Sequence, residues 1–238
     1  MPLTRSQKQQ LEQQEPPRFS QSKYVMVFDV ETNGFPPRAH ILQISWVIYC
    51  RTTRGIVEVF DSYVQVDPAV VEISDKITAI NHCSYELCAT GKPILDILQA
   101  FYSAYKRCDW IVAHNIDFDS RMVIVEYMRN WESIRKSCPN GLKLFREDYV
   151  YSIQKRLYCT MKSSIQLCKL SHVNSAKSKF YEQKNEGKEG TEPSYKYPKL
   201  IELYQHLFGK EKEIEGLHNS MVDVQVCLQC FLRLMASS

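Results

Sequence analysis

Asp29 and Glu31 stand two residues apart in Tyr24-Val25-Met26-Val27-Phe28-Asp29-Val30-Glu31, a run that is otherwise apolar and rich in β-formers. Folded as a strand, the run sends residues of one parity to one face, so both carboxylates point the same way. Tyr24, Met26, Phe28 and Val30 fill the other face, which predicts a central strand covered on both sides. Two carboxylates side by side in a buried strand repel each other and lose hydration. That is costly unless a cation or shared protons compensate. The alternative is an exposed strand end with solvated acids, but the turn residues Thr32-Asn33-Gly34-Phe35-Pro36-Pro37 come only after the acids. The pair therefore points to a divalent-metal site.

The rest of the chain frames that strand. Ile41–Cys50 and Ile56–Val66 read as two more strands, joined as a hairpin by the short loop Arg51–Gly55. Helices are predicted over Ser74–Asn81, with Ser74 as N-cap and Ile77 and Ile80 inward, and over Lys92–Cys108, with Pro93 near its first turn. In the second, Ile94, Ile97, Leu98, Phe101, Tyr105 and Cys108 recur at helical spacing. A short strand follows at Trp110–His114, then helices over Phe118–Arg129, Pro198–Phe208 and His218–Met235. Residues 131–156 show only a weak pattern. Three strands in meander order followed by helix–strand–helix units imply an α/β domain with a mixed sheet.

The chain has 238 residues, 44% hydrophobic and 24% charged, enough for a full core. No apolar run approaches the length that spans a bilayer, so no membrane partner is expected. Residues 1–22 hold six glutamines and mixed charges without an apolar stretch; they are expected to be a disordered leader and not a secretory signal. Residues 23–238 then form a single domain. The nine cysteines are scattered, and the close pair Cys227-Leu-Gln-Cys230 has no second pair to complete a zinc set. Buried free thiols in a reducing intracellular compartment, cytoplasm or nucleus, are the expectation.

Charge is unevenly spread. Residues 130–200 hold 14 Lys/Arg against 7 Asp/Glu, whereas the remainder holds 16 against 20. A basic lobe beside a more acidic one suits a polyanion at one place and metal at another. Within it, Ser171–Tyr197 is rich in Lys, Glu, Ser, Gly and Asn and is expected to be flexible, part of a basic insertion around 131–197. Tyr149, Tyr151, Tyr158, Tyr181, Tyr195 and Tyr197, interleaved with the Lys and Arg residues, could stack bases along a phosphate backbone, or the insertion could be inert and solvated.

Two further segments carry acids in costly places. On the last helix, Cys227, Cys230 and Leu234 fall within about 40° of Asp223, while Gln225, Gln229 and Arg233 lie opposite. Asp223 thus sits in the apolar stripe, where it needs either a buried Arg or a metal. His218 would be about 140° away on a continuous helix, but Gly216 lets it sit on the preceding loop, from which its ring reaches the same cleft. In Trp110-Ile-Val-Ala-His114-Asn115-Ile-Asp117-Phe118-Asp119 a buried strand runs into a helix start, where a carboxylate also meets the positive end of the helix dipole. Local physics does not choose between Asp117 and Asp119.

Asp29-Val-Glu31-Thr32-Asn33-Gly34, His114-Asn115-Ile-Asp-Phe118-Asp119 and His218-Asn-Ser-Met-Val-Asp223 together resemble the three motifs of the DEDDh, or DnaQ-like, 3′→5′ exonucleases. The similarity runs from about Lys23 to Leu234. It implies a ribonuclease-H-like fold, with a five-stranded mixed sheet flanked by helices, and it selects Asp119 over Asp117. It further implies that Asp29, Glu31, Asp119 and Asp223 hold two Mg²⁺ or Mn²⁺ ions, with His218 as general base and a nucleoside 5′-monophosphate as product. Hard oxygen ligands and a neutral imidazole suit that chemistry. By the same resemblance Thr32 and Asn33 meet the terminal nucleotide, Ile80 packs against its base, and His114 and Asn115 either contact substrate or fasten the strand–helix turn. Where the family continues after Asn81 with Gly and an aliphatic residue, this chain has His82-Cys83-Ser84, and its third motif has Ser220 where a small residue is usual. The expected partner is nucleic acid, DNA ahead of RNA, with a polymerase as a candidate protein partner. RNA 3′-end trimming and a non-catalytic nucleic-acid or polymerase-binding module are the competing readings.

Overall fold

Because both faces of Tyr24–Thr32 (β1) carry apolar residues, the strand has to lie where other elements cover it on either side. It does so in the computed structural model of the chain, which describes residues 18–171 and 195–236. Val25, Met26, Val27 and Phe28 have no exposed surface. Four further strands, β2 (Ile41–Cys50), β3 (Gly55–Tyr63), β4 (Trp110–Ala113) and β5 (Arg156–Cys159), complete a sheet of order β3-β2-β1-β4-β5. β2 is antiparallel to β1 and to β3, whereas β4 is parallel to β1 and to β5. The expected hairpin and mixed five-stranded α/β sheet are both present.

The main helices are α1 (Asp75–Asn81), α2 (Ile94–Arg107), α3 (Ile116–Arg129), α4 (Leu200–Phe208) and α5 (Ser220–Ala236). Met26, Phe28 and Val30 share one core with Leu98, Phe101 and Tyr105 of α2 and Met122, Val123 and Tyr127 of α3. On the opposite face Val25 and Val27 pack with Val224, Cys227, Leu228 and Phe231 of α5. Each such side chain contributes about 1.5–3 kcal/mol when fully buried. α4 backs α5, with Leu203 against Val226, Cys230 and Leu234. The wheel read from the sequence holds: Cys227 and Cys230 are buried, and Gln225, Gln229 and Arg233 are exposed. All nine cysteines are buried and free. No helix among the described residues is long and apolar enough to cross a membrane.

Three expectations change. Phe19, inside the expected leader, packs against Trp110 and Phe231 with ring centroids 5.7 and 5.4 Å away, so residues 18–22 belong to the fold; residues 1–17 lie outside the described residues. Residues 131–171 are not a loose insertion. They hold short helices and β5, and bury Ile134, Leu144, Val150 and Thr160. β5 escapes a periodicity argument because Arg156-Leu-Tyr-Cys is too short to show alternation. Its Tyr158 is spent on Trp110 and Phe231, at 5.8 and 5.3 Å, instead of facing a polyanion. The flexible segment expected at 171–197 falls mostly at 172–194, outside the described residues. Finally, Ile80 does not face inward: it is 47% exposed, and Ile77 takes the inward position.

Candidate active site

β4 pairs with β1 only from Val25↔Trp110 to Val27↔Val112, so β1 runs on beyond its parallel neighbour. Asp29 and Glu31 lie on that overhang, at the carboxyl ends of the parallel strands, where open α/β sheets place their ligands. The chain leaving β4 turns at Asn115 into α3 and brings Asp119 over the same edge, where its carboxylate accepts the Val30 N–H. From the other side comes α5. Its first turn is capped by Asn219, whose Oδ1 accepts from the N–H groups of Met221 (3.1 Å) and Val222 (3.4 Å). Before the cap the chain bends through two left-handed residues, Gly216 (φ 76°) and His218 (φ 67°). The first suits glycine; the second places the His218 N–H where it donates to the Asp223 carboxylate.

Asp29, Glu31 and Asp223 each place a carboxylate oxygen within 4.8 Å of the other two. Asp119, only 3% exposed, stands beside this triple, close enough that its charge is the largest electrostatic influence on Asp29. Burial and mutual repulsion hold the protons on. Desolvation first, then the charges of Asp119, Asp223 and Glu31, push the Asp29 carboxyl well above its usual range. Burial, with Asp223 and Asp119 adding, raises Glu31 to about 8. Asp119 rises to about 8 and Asp223 to about 6, both chiefly through burial. No ion pair among the described residues involves any of the four, so the buried Arg that Asp223 might have needed is absent there. Asp223 Oδ1 is buried with no hydrogen-bond partner. An acceptor left bare among converging anions fits a hard divalent cation, and the all-oxygen donor set does too.

The other residues singled out in the sequence fall into two groups. Exposed and open are His218, whose ring has no hydrogen bond among the described residues, Asn115 and Ile80; beside them the structure adds Phe35, which is 82% exposed and meets Phe118 edge-on at 6.0 Å. The side chains of the second group are already committed. His114 Nδ1 lies 3.0 Å from Thr160 Oγ1, and its Nε2 lies 3.0 Å from the Pro198 carbonyl oxygen. A carbonyl only accepts, so Nε2 carries the proton and Nδ1 accepts from Thr160. Burial lowers this imidazole to about 4, and it fastens the strand–helix turn. Thr32 donates its hydroxyl to the Gly34 carbonyl at 2.8 Å. Asn33 Nδ2 donates to the Glu72 carbonyl, and its Oδ1 accepts the His40 N–H. Asp117 is an exposed acid paired with Lys162 at 2.5 Å. It is not part of the acid cluster.

Sequence reasoning passed over Asn81. Only 3% exposed, it hydrogen-bonds Glu31 and donates from Nδ2 to the Thr32 carbonyl at 3.1 Å, tying α1 to the end of β1. The mixed polar and apolar run Asp75–Asn81 carries no local signal that singles it out. His82, which follows, sits at φ 59° and closes α1 in the left-handed conformation that usually takes glycine. His82 thus stands at a position where glycine would avoid the backbone strain.

The exonuclease family model RNase T matches residues 26–231. No curated protein is significantly similar to the chain. Among solved structures, exonuclease I of E. coli bound to single-stranded DNA superposes with a TM-score of 0.60 at 15% identity, over 91% of this chain but 41% of its own. The chain therefore spans about two fifths of that protein. A 3′-exonuclease solved in recognition of the histone mRNA stem-loop gives 0.60 at 14% identity, over 91% of this chain and 83% of its own. The cell-death related nuclease CRN-4 gives 0.52 at 10% identity, over 91% and 64%. At such identities these likenesses speak for the fold. The family match spans most of the chain, and with it the chain belongs to the RNase T exonucleases, nucleases of the DEDDh type on a ribonuclease-H-like fold.

Proposed function

We propose that the chain is a metal-dependent 3′→5′ exonuclease that shortens single-stranded or frayed DNA and releases nucleoside 5′-monophosphates. The observation that carries this reading is the convergence of Asp29, Glu31 and Asp223, with Asp119 beside them and one Asp223 oxygen unpartnered. These four would hold two Mg²⁺ or Mn²⁺ ions, with Asp29 central among them. When bound, such ions supply charge neutralisation and Lewis acidity for attack at phosphorus. His218 is the general base: exposed on the bend before α5, its imidazole takes the proton of the attacking water. Asn81 steadies Glu31, and His114 locks the turn that delivers Asp119. Ile80 and Phe35, exposed at the rim, offer apolar surface to the terminal bases.

RNA 3′-end trimming is the second reading. It draws support from the likeness to the exonuclease that recognises histone mRNA, of which the chain covers 83%. One assay separates the readings. Matched 5′-labelled DNA and RNA oligonucleotides are incubated with Mg²⁺ or Mn²⁺, alongside Asp223→Ala. The expected outcome is a ladder of shortened products, stronger on DNA, lost with chelator and in the variant. A stronger ladder on RNA reverses the substrate order. Binding without any ladder, unchanged in Asp223→Ala, would mean a non-catalytic module.

A further inference from the structure

Ser220 has no exposed surface, yet its hydroxyl is not idle. Its Oγ lies 2.5 Å from Ser45 Oγ, which is also fully buried. Ser45 Oγ donates to Asp61 Oδ1 at 2.7 Å, and the same oxygen accepts from Gln43 Nε2 at 3.0 Å. Gln43 closes the ring by accepting the Ser220 N–H on Oε1 at 3.3 Å. Because the Ser45 proton goes to Asp61, the Ser45 lone pair is left for the Ser220 proton. Every hydrogen bond in the chain therefore has one direction.

The place of this network matters more than its strength. Ser45 is the register partner of Asp29, and Gln43 is the register partner of Glu31. The first residue of α5 is thus fastened to β2 at the two positions beside the β1 acids, and Asp223 follows three residues later, within one turn. A buried hydroxyl contributes little net stability when bonded, so an apolar contact would glue helix to sheet as well. We propose that Ser45 and Ser220, with Asp61 and Gln43 behind them, are positioning residues that set Asp223 against Asp29 and Glu31 and thereby set the affinity for divalent cations.

This inference rests on the metal-site reading above, and its test reads metal binding without turnover. The wild type, Ser220→Ala, Asp61→Ala and the double variant are titrated with Mn²⁺, and free Mn²⁺ is followed by electron paramagnetic resonance. Each single variant is expected to bind Mn²⁺ roughly tenfold more weakly, the low end of what loss of an outer-shell partner does. The double variant should bind no worse than the weaker single, since both changes break one chain. In cleavage assays kcat should recover at raised Mn²⁺, with KM for the oligonucleotide unchanged. Asp61 is exposed, so its variant folds even where a change at buried Ser220 does not. Unchanged Mn²⁺ affinity with only a lower melting temperature would overturn the proposal, as would additive losses. A wild type that binds Mn²⁺ but cleaves neither DNA nor RNA would defeat the exonuclease reading while the variants still decide this one.

Discussion

At the scale of single residues, the site is a set of side chains placed where isolated chemistry would not put them. Asp119 is 3% exposed, and Asp223 keeps a buried oxygen without a partner. Such positions are legible in a sequence because an acid interrupts an apolar pattern, as Asp29 and Glu31 do in β1 and Asp223 does on α5. The loop placement of His218 was legible for a different reason, since Gly216 upstream provides the bend that frees it from the helix, and the structure adds a left-handed His218 of its own; its role as base came from the motif resemblance alone. Ser45, Ser220 and Asn81 were not legible, since a small polar residue in an apolar run carries no sign of its partner until the fold supplies one. Proton transfer by a positioned base contributes about 10²–10⁴-fold. His218→Ala should therefore lower kcat by about that factor while leaving Mn²⁺ affinity intact, because the bond from this residue to Asp223 comes from its backbone N–H. Single-turnover kinetics with a parallel Mn²⁺ titration checks both halves; a loss of metal binding would contradict the assignment.

At the scale of elements, long periodic segments and the short, uniformly apolar β4 were read correctly, and β5 was not. β1, β2, α2 and α5 all have enough residues for alternation or helical spacing to show. β5 has four residues, and its strand character comes from pairing with β4, a tertiary effect that local pattern cannot carry. Phe19 is the same lesson at the chain's start. Surrounded by Gln, Ser and Pro, it looks like leader, yet it closes the seam between Trp110 of β4 and Phe231 of α5. Phe19→Ala should cost about 2 kcal/mol, given partial burial and two edge-on aromatic contacts. Chemical denaturation would show this as a lower midpoint with an unchanged slope. A midpoint equal to wild type would place residues 18–22 outside the cooperative unit.

At the scale of the molecule, the four acids couple stability, pH and metal. Their folded pKa values lie above the unfolded ones: Glu31 and Asp119 at about 8, Asp223 at about 6, and Asp29 well raised. From about pH 4 to about pH 8 the native state therefore binds more protons than the unfolded chain, and metal-free stability falls as pH rises through that window. Divalent cations compete with those protons and should reverse the trend. At a hundredfold excess over Kd the gain is about 2.7 kcal/mol, or about 5–10 °C for a chain of this size. Thermal melts should thus show a larger Mn²⁺ shift at pH 8 than at pH 5. An equal shift at both would mean that the ions bind elsewhere.

What these four acids do depends on where a divalent cation sits. Crystals grown with Mn²⁺ and measured at its absorption edge locate the ion without assuming anything about catalysis. Anomalous peaks enclosed by the Asp29, Glu31, Asp119 and Asp223 carboxylates, with one of them on the unpartnered Asp223 oxygen, are the predicted result. Peaks only at other surface acids, or none among these four, would contradict it.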